Sequence, residues 1–226
     1  MALSRKEMRE MDGSSDEEKK DKMNLGRVGT IGRFRPLHNG SALMLDNICE
    51  NAEHVIIGIG SSNKYNMRNP FTPEEAKDMI ELYLNGRHAN YEVILVPDFG
   101  HLPEYRDGSG WKEFMVEHYG TLDHFITGNE YVAKLLGQDY DVVHPASLVE
   151  RENQVYMRGS MVRMAMATGG DYRVMVPACV ADYLEEKGMV DRFRREFGLE
   201  TIAGLGTEDW RLPEDMEKER EHTKES

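Results

Sequence analysis

The sequence lacks long apolar runs, and none approaches the ~20 consecutive apolar residues that a membrane-spanning helix requires. It contains only 2 cysteines, so a disulfide framework of the kind found in small secreted proteins is not expected. The first residues are charged and contain no apolar signal-peptide core. We therefore expect a soluble, cytoplasmic protein that has no membrane partner.

Positive charge is scarce as well. The sequence contains 28 Lys and Arg residues and 41 Asp and Glu residues, which gives a net charge of −13. No basic patch stands out, so a nucleic-acid partner is not expected. The length of 226 residues suits one domain with extensions. Because both ends lack apolar periodicity, we predict a charged extension (1–24), an α/β domain (25–200) and an acidic tail (201–226).

Short apolar runs alternate with amphipathic segments along the middle of the chain. The apolar runs predict strands at 28–31, 54–60, 92–96, 122–127 and 141–144. The amphipathic segments predict helices at 40–52, 73–84, 111–119, 130–136, 159–169, 177–187 and 192–197. Thr72 and Glu75 form the pattern of a capping box at the start of the second helix. The alternation predicts a Rossmann-like parallel sheet of about five strands with helices on both faces.

The loop after the first predicted strand, Gly32 to Ser41 with the sequence GRFRPLHNGS, has strong positive character for an acidic protein. Arg33, Arg35 and His38 lie in it, and the following helix start offers unpaired N–H groups to an anion. Gly40 is expected to leave room for a close approach to the backbone. Ligands of parallel sheets bind beyond the carboxyl ends of the strands, so we interpret this loop as a phosphate-binding site.

A second basic segment lies late in the chain. Ser160 stands at a predicted helix start, and Arg163 follows one turn later on the same helix face. Both side chains can therefore reach a triphosphate placed at the helix N-terminus. Arg158 adds a further positive charge. A capped amphipathic helix with a solvated arginine is the alternative interpretation of this segment taken alone.

Together these residues resemble the nucleotidyltransferases, specifically the archaeal-type nicotinamide mononucleotide (NMN) adenylyltransferases. The first loop resembles the family signature G-R-F-x-P-x-H-x-G-H as far as Gly40, and Ser41 stands where the family has its second histidine. The segment from Gly159 to Arg163 resembles the late G-T-x-x-R motif, and residues 58–61 resemble the G-I-G-S strand end. The resemblance covers roughly residues 28–187.

The resemblance implies a role for each residue that matches a family motif. The catalytic residues would be Arg33, His38, Ser41 and Arg163. ATP would be bound by Gly32, Arg33, His38, Gly40, Ser41, Gly128, Asn129, Ser160 and Arg163. NMN would be bound by Gly60, Ser61, Lys64, Asp98 and Trp111, with the Trp111 indole able to stack on the cationic nicotinamide ring.

The activity implied by the resemblance is transfer of AMP from ATP to NMN, giving NAD and pyrophosphate. Such a reaction proceeds by positioning and charge stabilisation and needs no covalent protein nucleophile. Mg²⁺ would be carried with ATP, because the sequence shows no dedicated carboxylate cage and hence no metal-binding residues of its own. We expect the chain to bind ATP and NMN and to form a homo-oligomer.

Departures from the family pattern keep two other functions open. Ser41 cannot carry positive charge as a histidine can, and Ala76 stands where the family has an arginine, beside Lys77. Arg35, at a position where the family usually has glutamine, and Arg158 are candidates to supply the missing charge. One alternative is a cytidylyl- or adenylyltransferase for another phosphate-bearing substrate. The other is a nucleotide-binding protein with impaired catalysis.

Overall fold

The computed structural model describes residues 24–149 and 151–204. The predicted charged extension (1–24) and acidic tail (201–226) therefore lie almost entirely outside the described residues. Within the described ranges, no helix has both the length and the apolar character needed to cross a bilayer. Cys49 is buried and Cys179 is exposed, and both are free thiols.

A parallel sheet of five strands forms the centre of the described chain, in the order β3-β2-β1-β4-β5. The strands are β1 (Arg27–Gly32), β2 (His54–Ile59), β3 (Tyr91–Leu95), β4 (His124–Ile126) and β5 (Val142–Val143). The order reverses at β1, which pairs with β2 on one edge and with β4 on the other. The predicted Rossmann-like sheet is thereby confirmed, although β4 and β5 are shorter than the apolar runs that predicted them.

The described residues also form eight α-helices. They are α1 (Asn39–Asn51), α2 (Pro73–Leu84), α3 (Ser109–Tyr119), α4 (Glu130–Leu136), α5 (Gly159–Thr168), α6 (Ala178–Glu186), α7 (Met189–Phe193) and α8 (Leu199–Ala203). A π-helical turn, Arg194–Gly198, joins α7 to α8. The short helix predicted at 192–197 is thus the middle of a longer helical segment that continues past residue 200.

Two apolar cores lie on opposite faces of the sheet, because consecutive side chains of a strand point to opposite faces. Ile57 of β2 packs in the larger core with side chains of α1, α2, α5, α6 and α7. Its neighbour Ile56 packs in the smaller core, where Met115 of α3 and Leu136 of α4 lie. Helices therefore cover both faces, as the sequence predicts.

The start of α2 forms as its sequence predicts and has a partner that the sequence did not reveal. The Thr72 hydroxyl accepts the N–H of Glu75 at 3.2 Å, and the Glu75 carboxylate accepts the N–H of Thr72 at 2.8 Å. The same carboxylate forms a two-pronged ion pair with Arg192 of α7 at 2.7 and 2.6 Å. This pair holds α7 and the segment that follows it against the start of α2.

Candidate functional site

Three pockets adjoin one another at the carboxyl edge of the sheet. The first, which we call the basic pocket, has a volume of about 340 Å³. It is lined by Arg33, Phe34, Arg35, Pro36, His38, Arg158, Gly159, Ser160 and Arg163. The lining includes four arginines and no carboxylate, and the N-termini of α1 and α5 both open onto it. The structure thus brings the two basic segments of the sequence together into a site suited to an anion.

Arg163 is held in the basic pocket by its surroundings. Its side chain is 8% exposed, and its Nη1 donates a hydrogen bond to the carbonyl oxygen of Arg35 at 3.1 Å. Gly159 passes close to it, since a Cβ atom there would lie 3.1 Å from Arg163 Nη1. A glycine at this position therefore lets the guanidinium pack against the start of α5.

His38 caps the N-terminus of α1 and is held in one neutral form. Its Nδ1 accepts the backbone N–H of Ser41 at 3.2 Å. Because a backbone N–H can only donate, the neutral ring must carry its proton on Nε2. Burial, and then the nearby charge of Arg163, lower the pKa of His38 from 6.5 to about 4. At neutral pH the ring therefore brings an uncharged Nε2–H donor to the basic pocket.

The lowered pKa of His38 predicts a loss of stability in mild acid. The folded protein keeps the ring neutral down to about pH 4, whereas the unfolded chain takes up a proton below about pH 6.5. The free energy of unfolding should therefore fall as the pH drops from about 6.5 to about 4, by up to about 3 kcal/mol from this group. Urea unfolding of the ligand-free protein at several pH values measures the effect.

The control is His38→Asn, which keeps a side-chain acceptor for the start of α1 but removes the titrating ring. The variant should lose less stability than the wild-type protein over the same pH interval. Equal losses in the two proteins would contradict a neutral His38 with a lowered pKa.

Ser41 belongs to the helix start rather than to the basic pocket. Its hydroxyl accepts the backbone N–H of His38 at 3.1 Å and donates to the carbonyl oxygen of His38 at 2.9 Å. With the bond from its own N–H to the His38 ring, Ser41 completes a capping box for α1. The predicted catalytic hydroxyl is thus engaged with the local backbone.

The second pocket, which we call the apolar pocket, adjoins the basic pocket at His38. Its volume is about 280 Å³. It is lined by His38, Gly40, Ser41, Leu43, Met44, His144, Pro145, Ala146, Val149, Gln154, Val155, Tyr156 and Met157. The lining residues from His144 onward belong to the segment that connects β5 to α5. None of them was predicted as a site residue: His144 ends the fifth predicted strand, and the residues after it show no helix or strand period.

The close approach expected at Gly40 is made by another part of the chain. A Cβ atom at Gly40 would lie 2.8 Å from the backbone oxygen of Val155. The close approach that requires a glycine here is therefore that of the segment before α5. Gly40 also contributes to the lining of the apolar pocket.

The third pocket, which we call the strand-end pocket, has a volume of about 190 Å³. It is lined by Ile31, Gly32, Arg33, Gly60, Ser61, Pro97, Asp98, Trp111, Thr127, Asn129 and Val132. These residues come from the ends of β1 to β4 and from α3 and α4. Arg33 also lines the basic pocket, so the three pockets follow one another in the order apolar, basic, strand-end.

Asp98 is positioned by a side chain that the sequence analysis missed. The side-chain amide of Asn63 donates to the backbone oxygen of Asp98 at 2.9 Å, and its oxygen accepts the Asp98 N–H at 2.8 Å. The loop after β2 is thereby tied to the loop after β3. Asp98 in turn accepts the N–H of Gly100 at 2.8 Å, which fixes the direction of its carboxylate.

Of three further predicted site residues, Asn129 lines a pocket, whereas Gly128 and Lys64 do not. Asn129 lines the strand-end pocket and also caps α4, because its side chain accepts the N–H groups of Tyr131 and Val132. Gly128 lies outside the lining of the three pockets and packs beside His144. Lys64 also lies outside the lining.

The departure at residue 76 is not compensated by its neighbour. Ala76 is fully buried in the larger core. Lys77 points elsewhere and forms an ion pair with Glu81 at 3.6 Å. Lys77 therefore does not stand in for an arginine at position 76.

Comparisons with known proteins agree with this geometry. The model of the cytidylyltransferase-like family matches residues 30–164. The chain is 30% identical over 181 residues to the nicotinamide-nucleotide adenylyltransferase of Methanosphaerula palustris, covering 80% of this chain and 99% of that one. It is 29% identical over 171 residues to the enzyme of the same name from Methanolobus tindarius, covering 75% of this chain and 94% of that one.

A solved structure with a similar fold is a bifunctional NMN adenylyltransferase/ADP ribose pyrophosphatase from Francisella tularensis, complexed with AMP and a manganese ion. The TM-score is 0.58 and the sequence identity is 18%, so this likeness concerns the fold alone. The match covers 77% of this chain but 53% of the bifunctional protein, about half of its length.

Proposed function

The chain belongs to the cytidylyltransferase-like family, and from this membership we propose that it transfers AMP from ATP to NMN, giving NAD and pyrophosphate. The observation that carries the proposal is the row of three adjoining pockets, with the basic pocket in the middle. An adenylyl transfer needs such an order, because the two nucleotides must meet at their phosphates.

ATP is assigned to the apolar and basic pockets. The adenine ring occupies the apolar pocket, where Met44 and Met157 offer apolar surface. The triphosphate occupies the basic pocket, where Arg33 and Arg163 supply charge. The start of α5 adds backbone N–H groups, since no side chain caps it.

NMN is assigned to the strand-end pocket. Trp111 offers a flat ring for the cationic nicotinamide, and Asp98 offers a carboxylate whose loop is fixed by Asn63. Arg33, which lines both this pocket and the basic pocket, neutralises the phosphate of NMN where it approaches the triphosphate.

The reaction is an in-line displacement. An oxygen of the NMN phosphate forms a bond to the α-phosphorus of ATP, and the bond from that phosphorus to the bridging oxygen breaks. Pyrophosphate leaves with the electron pair. The chain contributes charge and position rather than a nucleophile: Arg163 neutralises the departing pyrophosphate, and His38 donates its Nε2–H to a phosphate oxygen.

Mg²⁺ enters with ATP in this proposal. No carboxylate lines the basic pocket, and in the described ranges no group of three or more His, Cys, Asp or Glu side chains is arranged to hold a metal. The phosphate oxygens of ATP are themselves the hard ligands that Mg²⁺ prefers. When bound, the ion would offset part of the triphosphate charge beside the arginines.

The test is pyrophosphate release with a panel of nucleotides and acceptors. ATP with NMN should give the highest kcat/KM, at least roughly tenfold above CTP with NMN, because the apolar pocket discriminates by shape and contact. NMN should likewise exceed glycerol 3-phosphate as acceptor. A preference for CTP or for the other acceptor would support the first alternative, and ATP binding without release from any pair would support the impaired protein.

Cytoplasmic location and assembly into a homo-oligomer stay predictions. Both are in keeping with an enzyme that supplies a nucleotide cofactor to cell metabolism. Size-exclusion chromatography with light scattering tests the assembly.

A further inference from the structure

Arg35 is an unusual arginine because its side chain is 1% exposed, making it the largest fully buried side chain among the described residues. Its Nη1 donates to the backbone oxygens of Ser61 at 3.3 Å and Lys64 at 3.1 Å. Its Nε and Nη2 have no hydrogen-bond partner in the described part of the chain. Polar atoms buried without partners are rare and call for an explanation.

The charge of Arg35 is also left without an ion-pair partner among the described residues. Burial and the neighbouring Arg33 lower its pKa to about 10, and Glu74 opposes this with a smaller effect. The guanidinium therefore remains protonated at neutral pH. A buried charge without a counter-charge is destabilising unless something else offsets it.

Arg35 lies between the loops that form two of the pockets. Its backbone oxygen accepts the hydrogen bond from Arg163 in the basic pocket, and its side chain holds Ser61, which lines the strand-end pocket. Phe34 and Ser61 both have left-handed backbone angles, with φ of 50° and 53°. Such angles are uncommon for residues other than glycine, so the turns on either side of the guanidinium need outside support.

We propose that Arg35 is a positioning residue that couples the two nucleotide sites. Its guanidinium fixes the loop from Ser61 to Lys64 for the acceptor, and its charge is offset by the phosphates of a nucleotide in the basic pocket. The unpartnered nitrogens have almost no exposed surface, so the charge acts on a ligand through the field it creates in the pocket. This inference rests on the proposed function, since it takes the basic pocket as the phosphate site.

The two roles of Arg35 are separable by two substitutions. Arg35→Gln removes the charge, and its shorter side chain cannot place a donor where Nη1 bonds both loop oxygens. Arg35→Lys keeps the charge but ends about one bond short of the position of Nη1, so it weakens the same two bonds. Isothermal titration calorimetry measures the affinity of each variant for inorganic pyrophosphate with Mg²⁺ and, separately, for NMN.

The two variants should differ in pyrophosphate binding and agree in NMN binding. Arg35→Gln should weaken pyrophosphate binding by about tenfold, as expected for loss of one charge acting across a low-dielectric gap, and should also weaken NMN binding, because the loop loses its donor. Arg35→Lys should weaken NMN binding while leaving pyrophosphate binding close to that of the wild-type protein. Raising the salt concentration should shrink the difference in pyrophosphate affinity between wild type and Arg35→Gln.

Several outcomes overturn the inference. Pyrophosphate binding by Arg35→Gln equal to wild type shows that the charge is not felt in the basic pocket. Equal weakening of both ligands in both variants shows a general structural role. Each variant is tested on its own, with its thermal melting curve recorded first, so misfolding of one leaves the other decisive. Failure of the wild-type protein to bind pyrophosphate or ATP would instead refute the proposed function.

Discussion

Replacing Arg163 by alanine is expected to lower kcat/KM for ATP and NMN by roughly 10²–10³-fold. The reason is that Arg163 is nearly buried in the basic pocket and aimed by its hydrogen bond to the Arg35 carbonyl. A preorganised charge of this kind stabilises the departing pyrophosphate far more than a mobile surface charge would. Steady-state pyrophosphate release measures the loss.

The same variant should lose most of the stabilisation that ATP with Mg²⁺ gives the wild-type protein, because a ligand that binds only the folded state raises the melting temperature. The matched control is Arg173→Ala, which removes an exposed arginine paired with Asp182 at 2.7 Å and lining none of the three pockets. Similar activity losses in the two variants would show that Arg163 has no special place in the reaction.

The second large effect is a gain in turnover rather than a loss of activity. Ser41→His should raise turnover, by up to about 10²-fold, with little change in ATP affinity. The wild-type hydroxyl is engaged in the capping box with His38, whereas an imidazole at this position can extend a donor toward the departing pyrophosphate. Because that charge grows in the transition state, the gain should appear in kcat.

The control for this gain is Ser41→Ala, which removes the hydroxyl without adding a donor. It should cost about 1 kcal/mol in stability through the weakened helix start and should leave turnover slow. A wild-type protein that already matches Ser41→His in turnover would mean that Arg35 or Arg158 has taken over the charge. A wild-type protein and Ser41→His that both bind ATP but release no pyrophosphate would instead indicate impaired catalysis that one histidine cannot repair.

The sheet could be predicted because its signal is local. Apolar runs such as that of β2 alternate with helical periods, and that alternation determines a parallel sheet whatever the details of packing. The convergence of Arg33 and Asp98 on one edge follows from the same rule, since the carboxyl ends of parallel strands lie together. Together with the family resemblance, which supplied Trp111, this rule led to most of the lining of the basic and strand-end pockets.

The contacts that could not be predicted from the sequence join residues far apart in the chain. Arg192 meets Glu75 across 117 residues, and nothing in the pattern around either position indicates the other. The sequence pattern assigns Arg35 to a phosphate-binding loop, and only the packed structure shows that its guanidinium is buried and bonded to Ser61 and Lys64. Burial of this kind depends on how distant loops fit together, which periodicity does not encode.

The position of β1 at the centre of the sheet has a consequence for synthesis of the chain. Thr30 of β1 and Ile126 of β4 are joined by a hydrogen bond of 2.9 Å but lie 96 residues apart. At about 5–20 residues per second, a ribosome needs roughly 5–20 s to make the second neighbour of the central strand. In nascent chains that end before β4, one edge of β1 has no partner strand, and we expect such chains to aggregate more readily than the complete chain.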